Sequence, residues 1–140
     1  MQPIGLVPEL YVRDINQTRA FYVELLGFEV LHERPEDKFI YTQRGNARMM
    51  FEELGASREW ITGDLEYPYG RGINFQIEVG SVDELFESVL AEGVRPFLPL
   101  EDKWYRKDDI YIGNRQFMIQ DPDGYLLRFF QDLRSRTQVA

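Results

Sequence analysis

Three polar side chains alternate with apolar residues in the segment INFQIEV, residues 73–79. Asn74, Gln76 and Glu78 fall on one face of the predicted strand, and the odd-numbered residues from Ile73 to Val79 fall on the other. Two amides and a carboxylate supply hydrogen-bond donors and acceptors that either face bulk water or line a cavity that holds a ligand. Which of the two they do depends on the elements that cover the strand.

Side chains that are typical of catalytic sites are scarce in this chain. It has no cysteine, which excludes disulfides, thiol catalysis and thiolate metal sites. The one histidine, His32, lies on the strand after the first predicted helix beside the charged run ERPEDK, and we expect it to face solvent. The sequence contains no Ser–His–Asp arrangement, no phosphate-binding loop and no zinc-ligand spacing. No catalytic residue is therefore predicted.

The composition is that of a folded chain of 140 residues, of which 44% are hydrophobic and 14% aromatic. By length we expect one domain. No apolar run of about 18 residues predicts a membrane span, and no signal-peptide pattern follows Met1, so we expect a cytoplasmic protein. The net charge of −8 argues against nucleic acid and anionic membrane surfaces as partners. It either favours cationic ligands or serves solubility alone.

Two stretches of the sequence share one plan, in which a strand is followed by a capped helix and a glycine. The first helix is predicted to begin after Asp14 and to end at Gly27. The second has Ser81 and Glu84 as a capping box and ends at Gly93. The apolar stripes that should face the sheets are Ile15, Thr18, Tyr22, Leu25 and Leu26 in the first helix and Val82, Leu85, Phe86, Val89 and Leu90 in the second.

Each helix is followed by strand-like sequence with tight turns. The turns are predicted at Gly45-Asn46 in the first half, and at Gly113-Asn114 and the DPDG sequence of residues 121–124 in the second. The chain is thus an internal duplication of a βαβββ module. The expected boundaries are about 5–54 for module one, 55–72 for a linker or lid, 73–131 for module two, and 132–140 for a polar tail that frays after Phe130.

The duplication, together with ELYVRDINQTRAFYVELLGFEV near the start and FMIQDPDGYLLRF near the end, resembles the vicinal oxygen chelate superfamily. That superfamily includes glyoxalase, extradiol dioxygenases, fosfomycin-resistance transferases and bleomycin-resistance proteins, and the resemblance covers about residues 7–131. It implies an α+β fold in which two βαβββ modules form a half-open, eight-stranded cup with the helices outside. Active members hold a divalent metal inside the cup.

The resemblance also implies which strand faces look into the cup. The apolar face of INFQIEV lies under the helix that follows it, so the face with Asn74, Gln76 and Glu78 looks inward. The residues expected to look inward from the first and last strands are Val7, Glu9, Tyr11, Leu126, Arg128 and Phe130.

Catalytic members of the superfamily hold their metal with side chains drawn from His, Glu and Gln, and the resemblance maps the four ligand positions onto this chain. They fall at Val7, Glu52 (or Glu53), Asn74 and Arg128. Valine cannot coordinate a metal, and an arginine repels it. One good ligand in four predicts no metal site.

A second hypothesis for a metal is an all-carboxylate site. Glu9, Glu52 and Glu78 could converge to hold Mg²⁺ or Mn²⁺, since carboxylates suit such ions. Arg128 opposes this hypothesis, because it would pair with one of the carboxylates instead.

The bleomycin-resistance proteins of the superfamily lack the metal ligands, and the segment IGNRQFMIQDPDGYLLRFFQDL resembles their final part. They are acidic homodimers that bind a large cationic glycopeptide in grooves at the dimer interface without chemistry. The resemblance implies a metal-free, cofactor-free homodimer that sequesters a cationic or aromatic small molecule, such as a cationic antibiotic. The residues expected to bind the ligand are Glu9, Tyr11, Phe39, Tyr41, Glu52, Asn74, Gln76, Glu78, Trp104, Tyr111 and Arg128.

One departure from that subfamily concerns the ligand. Bleomycin-binding members carry a stacking tryptophan immediately before the residue that corresponds to Asn114, and this chain has Gly113 there. Trp104 and Tyr111 are close in sequence and are the candidates to replace it. The sequence therefore does not favour bleomycin itself as the ligand, but it still favours a metal-free binding role.

Two other hypotheses stay open. The chain could be a metal-dependent lyase, isomerase or dioxygenase of the superfamily with an atypical ligand set. It could also be a dimeric scaffold whose cup is filled by its own side chains. The polar residues of the predicted cup count against a filled cup, because burying each unpartnered polar group costs roughly 1–3 kcal/mol.

Overall fold

The computed structural model describes residues 4–137 as two compact units. Unit 1 contains the residues up to Tyr69 together with Asp121–Gly124, and unit 2 contains Gly70–Gln120 and the residues from Tyr125 onward. Each unit has its own four-stranded mixed sheet and its own helix. The α+β class and the repeated βαβββ arrangement are therefore confirmed. No helix within residues 4–137 combines the length and the apolar character that crossing a membrane requires.

The two sheets share one strand order, in which the first strand of the unit pairs in parallel with the last. In unit 1 the sheet order is β1-β4-β3-β2, and in unit 2 it is β5-β8-β7-β6. The elements of unit 1 are β1 (Glu9–Val12), α1 (Ile15–Arg19) with a π-helical continuation (Ala20–Leu25), β2 (Glu29–Arg34), a 3₁₀ turn (Pro35–Asp37), β3 (Phe39–Arg44) and β4 (Ala47–Glu53). Those of unit 2 are β5 (Asn74–Glu78), α2 (Val82–Ala91), β6 (Leu98–Lys107), β7 (Ile110–Gln120) and β8 (Leu126–Arg136).

Both predicted helix starts are confirmed by their hydrogen bonds. The Asp14 carboxylate accepts from the backbone N–H groups of Asn16, at 2.9 Å, and Gln17, at 3.4 Å. The Ser81 hydroxyl accepts from the backbone N–H of Glu84 at 3.3 Å. These side chains satisfy amide groups of the first turn that have no partner within the helix.

In each unit one sheet face is closed by the helix. Tyr22 of unit 1 is fully buried, its ring lies 4.4 Å from that of Phe51, and its hydroxyl donates to Asp121 at 2.6 Å. In unit 2, Phe86 of α2 packs 5.1 Å from Phe117 of β7. Most of each predicted apolar stripe is buried, but Leu90 of α2 is 44% exposed, so its place in the stripe was predicted wrongly.

The second hairpin was predicted at the wrong place. Gly113 and Asn114 lie inside β7, and the turn that joins β6 to β7 falls at Asp108 and Asp109, with Asp108 in the left-handed region at φ 56°. Glycine followed by asparagine is a turn signal, but β-branched and aromatic residues on both sides favour continued strand pairing. The β7–β8 pairing is irregular between Gly113 and Asn114, at the position where the turn had been predicted.

Two further boundaries differ from the prediction. The chain does not fray after Phe130, because β8 continues to Arg136; residues 138–140 of the predicted tail lie outside the described residues. Ile73 precedes β5 and is 54% exposed, so it does not join the buried face of that strand. The DPDG turn is confirmed by the bond from the Gly124 N–H to the Asp121 carbonyl at 2.9 Å.

Gly124 offers a test of this turn. Its φ is +96°, and a Cβ placed there would lie 2.5 Å from the Pro68 Cα. We expect Gly124→Ala to lower the free energy of unfolding by roughly 2–4 kcal/mol, because backbone strain adds to the collision with Pro68. Urea unfolding followed by circular dichroism measures the change.

Gly63→Ala is the matched control. Gly63 has no heavy atom within 4 Å of an added Cβ and no positive φ. Its substitution should change stability by at most about 0.5 kcal/mol. Equal effects of the two substitutions would contradict the assigned packing of the turn.

Candidate functional site

Five of the predicted binding residues lie on one face of the unit 1 sheet. Tyr11, Glu52 and Phe39 are directly opposite one another across β1, β4 and β3. Glu9 and Tyr41 flank Met50 in the next row of the same face. Because directly paired residues share a face, these five side chains project to the side opposite the helix. We call them the unit 1 face.

The segment that follows β4 covers part of the unit 1 face. The Tyr11 hydroxyl accepts from the Trp60 backbone N–H at 2.9 Å and donates to the Arg58 carbonyl at 3.4 Å. The Ser57 hydroxyl donates to Glu52 Oε2 at 2.8 Å. As a result Tyr11 and Glu52 are each 5% exposed. In this structure they are held by their own chain and are not open to a ligand.

Glu53 lies on the opposite face from Glu52 and has a structural role. Its Oε1 accepts from the Ile15 N–H at 3.0 Å at the start of α1, and its Oε2 accepts from Lys38 Nζ at 2.8 Å. The Lys38 bond, followed by that from Ile15, lowers the pKa of Glu53. Of the two adjacent glutamates, Glu52 is therefore the one on the unit 1 face.

The outer part of the unit 1 face is aromatic and carries charges of both signs. His32 is exposed, as predicted, and its ring stacks on Tyr41 with centroids 5.0 Å apart. The Arg34 guanidinium lies 4.0 Å from the centre of the Phe39 ring, which is a cation–π contact. Burial and the nearby Glu52 raise the pKa of the Glu9 carboxyl, and Arg34 opposes them.

Glu9 and Glu53 should respond oppositely to neutralisation. Because the pKa of Glu9 is raised on folding, its ionisation destabilises the folded state, so Glu9→Gln should raise Tm at neutral pH. Because the pKa of Glu53 is lowered, Glu53→Gln should reduce Tm there. The Glu9 difference should shrink as the pH falls toward 4.5, because the raised pKa lies above that value. The Glu53 difference should persist at pH 4.5 and shrink only below it, because the lowered pKa lies below that value. Scanning calorimetry from pH 3 to 8 tests this, and changes of equal sign at neutral pH would contradict it.

The other open face belongs to unit 2 and contains a cavity of about 420 Å³. Gln76 of β5 and Arg128 of β8 are directly paired, and Arg128 Nη2 donates to Gln76 Oε1 at 3.3 Å. Asn74 and Glu78 lie on the same face as Gln76, and all three are exposed. The residues that line this unit 2 cavity are Gln76, Tyr105, Ile112, Asn114, Arg128, Phe130 and Asp132.

Trp104 and Tyr111 are not brought to that cavity. The β6–β7 register pairs Trp104 with Gly113 and Tyr105 with Ile112, so Trp104 and Tyr111 project from the face opposite Tyr105. The ring of Trp104 lies across Gly113, where an added Cβ would stand 2.7 Å from it. The Arg136 guanidinium covers Trp104 at 3.6 Å from the ring centre. Trp104 thus occupies the space beside residue 113 and is itself covered.

The contact between Trp104 and Gly113 can be tested by fluorescence spectroscopy. Gly113→Ala, in a Trp60→Phe background that leaves Trp104 as the chain's remaining tryptophan, should displace the ring, since carbon atoms pack at about 3.5–4.0 Å. We expect its fluorescence emission to move to longer wavelength as solvent reaches it. Gly63→Ala in the same background is the control, and an unchanged spectrum of the Gly113 variant would contradict the contact.

The sequence analysis missed several residues that line the unit 2 cavity as binding residues. Asp132 was placed in a frayed tail, although the alternation Arg128, Phe130, Asp132 would have found it had the strand been extended. Tyr105 is one of the aromatic residues that the sequence offers for stacking, together with Trp104 and Tyr111, but only the β6–β7 register distinguishes it from those two.

The four metal-ligand positions implied by the resemblance are divided between the two units. Val7 precedes β1, Glu52 is bonded to Ser57, Asn74 is exposed, and Arg128 carries a positive charge. Across residues 4–137, no three or more side chains of His, Cys, Asp or Glu are grouped so that they could hold a metal ion. The all-carboxylate hypothesis draws on Glu9 and Glu52 of unit 1 and on Glu78 of unit 2, and it stays a hypothesis.

A duplicated βαβββ arrangement, with the helix of each unit packed on one face of its sheet, defines the fold class of this chain. Residues 6–129 match the Glyoxalase/Bleomycin resistance protein/Dioxygenase superfamily, and the chain belongs to that superfamily. It is 29% identical over 138 residues to a bleomycin resistance protein of Geobacillus stearothermophilus, with 92% of this chain and 97% of the relative covered. A bleomycin resistance protein of Staphylococcus aureus has the same identity and coverage.

Solved structures share the fold. TioX from Micromonospora sp. ML1 superposes with a TM-score of 0.71 at 23% identity, covering 94% of this chain and 100% of that one. The integron cassette protein VCH_CASS1 from V. cholerae gives 0.69 at 20% identity, covering 94% and 97%. At these identities the likeness establishes the architecture alone.

Proposed function

We propose that this chain is a metal-free binding protein of the bleomycin-resistance type, which sequesters a cationic or aromatic small molecule without transforming it. We further propose that it acts in the cytoplasm as a homodimer with the ligand at the dimer interface, and that it needs no cofactor. The observation that carries the proposal is Arg128, a cation at a metal-ligand position that lines a cavity of about 420 Å³.

Arg128 argues against a divalent ion on electrostatic grounds. A guanidinium is charged at every physiological pH, so a metal bound beside it would be repelled. Val7 offers no donor, and the Glu52 carboxylate already accepts a bond from Ser57. The cavity volume lies in the range of sites for drug-sized ligands.

The unit 1 face and the overall charge support a ligand with cationic character. Tyr41 offers a partly exposed aromatic face, Glu9 is an exposed carboxylate on the same face of the sheet, and the chain carries a net charge of −8. An acidic surface raises the local concentration of cations, and aromatic faces bind them at about 0.5–2 kcal/mol each. Relatives called bleomycin resistance protein support the same class of ligand.

The experiment measures metal content and ligand binding on one preparation. Protein purified without chelator should contain metal far below one equivalent, and its mass by light scattering should be twice that of the chain. Stoichiometric Mn, Fe, Ni or Zn would contradict the proposal and favour a metal-dependent lyase, isomerase or dioxygenase. A cationic aromatic ligand present at a hundred times its Kd should add about 2.7 kcal/mol of stability.

Bleomycin and a set of planar aromatic cations are the probes for that thermal-shift screen. Glu9→Gln should weaken binding of a cationic hit by about two- to fivefold, as expected for one partly screened charge. Glu87→Gln, the same change at an exposed position on α2, is the matched control and should leave binding unchanged. Hits confined to neutral or anionic compounds would contradict the cationic preference.

A further inference from the structure

We propose that the unit 2 cavity selects amphoteric aromatic molecules, with the ligand's carboxylate on Arg128, its ring beside Phe130 and Tyr105, and its amine at Asp132. The inference rests on the proposed function and names the ligand class of that cavity. Three features carry it: an unpaired cation, an unpaired anion, and the aromatic surface between them.

The unpaired cation is Arg128. Its Nη2 donates to the uncharged Gln76 amide at 3.3 Å, while its Nε is buried with no acceptor among residues 4–137. Its guanidinium makes no ion pair within that described part of the chain. A buried donor of a charged group without a partner is costly, and a carboxylate is the acceptor that matches a guanidinium in charge and geometry.

The unpaired anion is Asp132. Its Oδ1 accepts from the backbone N–H of Arg134 at 2.6 Å, and within residues 4–137 no lysine or arginine forms an ion pair with it. It is exposed and lines the same cavity as Arg128. An ammonium group of a ligand is the complement that this carboxylate lacks.

The aromatic surface lies between the two charges. Arg128, Phe130 and Asp132 alternate along β8 on one face, so about 13 Å separates the first Cα from the last. Phe130 is at the midpoint and pairs with Gln116, whose Nε2 donates to the Tyr105 hydroxyl at 2.9 Å. That bond places the Tyr105 hydroxyl beside Gln116, the strand partner of Phe130. A flat ring system with opposite charges at its two ends matches this order.

The first test needs no ligand. Arg128→Met removes the unpaired buried donor and keeps the apolar stem, so Tm of the unliganded protein should equal or exceed that of the wild type. Arg115→Met is the matched control in the same unit, because Arg115 bonds to Asp102 at 2.8 Å and Asp83 at 3.3 Å; its Tm should fall. If Arg128→Met lowered Tm as much as Arg115→Met, Arg128 would be a structural cation and the proposal would be overturned.

The second test uses a matched set of probes built on one planar scaffold. Ciprofloxacin carries a carboxylate and a piperazinium at opposite ends of its ring system, and its methyl ester and N-acetyl derivative each lack one charge. Isothermal titration should show the parent binding at least about tenfold more tightly than either derivative. In Arg128→Met the parent should bind only as tightly as the ester does to the wild type, and in Asp132→Asn only as tightly as the N-acetyl compound.

The outcomes separate this inference from the proposed function. If the ester bound as tightly as the acid and Arg128→Met changed nothing, the carboxylate site would be overturned while sequestration stood. Failure of all three compounds, with bleomycin or planar cations still binding, would likewise overturn the amphoteric class alone. Stoichiometric metal in the purified protein would overturn the proposed function itself.

Discussion

Within residues 4–137, each unit of this protein packs one α-helix on its sheet, and a helix covers one face. In unit 1 the covered face packs Phe51 against Tyr22, and in unit 2 it packs Phe117 against Phe86. Because side chains alternate along a strand, every second residue is then committed to the other face. That constraint places Glu9 and Tyr41 on one open face and Gln76 and Arg128 on the other.

The two open faces differ in how their polar groups are satisfied. On the unit 1 face, Ser57 and Trp60 bond to Glu52 and Tyr11, so its centre is closed by its own chain. In the unit 2 cavity, Arg128 and Asp132 face the same space without an ion pair from residues 4–137. A buried polar group that its fold leaves unsatisfied, such as Arg128 Nε, needs an explanation, and an acceptor on a ligand is one. The unit 2 cavity is thus the more direct place to look for one.

Much of the fold could be predicted because its signals are local. The caps at Asp14 and Ser81 and the DPDG turn depend on residues within a few positions of each other, and all three are confirmed. The misplaced turn at Gly113 failed for the opposite reason. A glycine at position 113 leaves room for the ring of Trp104 on the neighbouring strand. A packing contact between two strands cannot be deduced from a local sequence pattern.

The sequence by itself determined the duplication, the helix starts and the two sets of alternating residues, since these follow from short-range spacing. It also established that the metal-ligand positions implied by the superfamily hold Val7 and Arg128. Only the tertiary structure decided that Glu52 is enclosed, that Trp104 lies away from the cavity, and that Asp132 belongs to it. The physical reason is strand register, because a shift of one residue exchanges the two faces and long-range pairing alone fixes it.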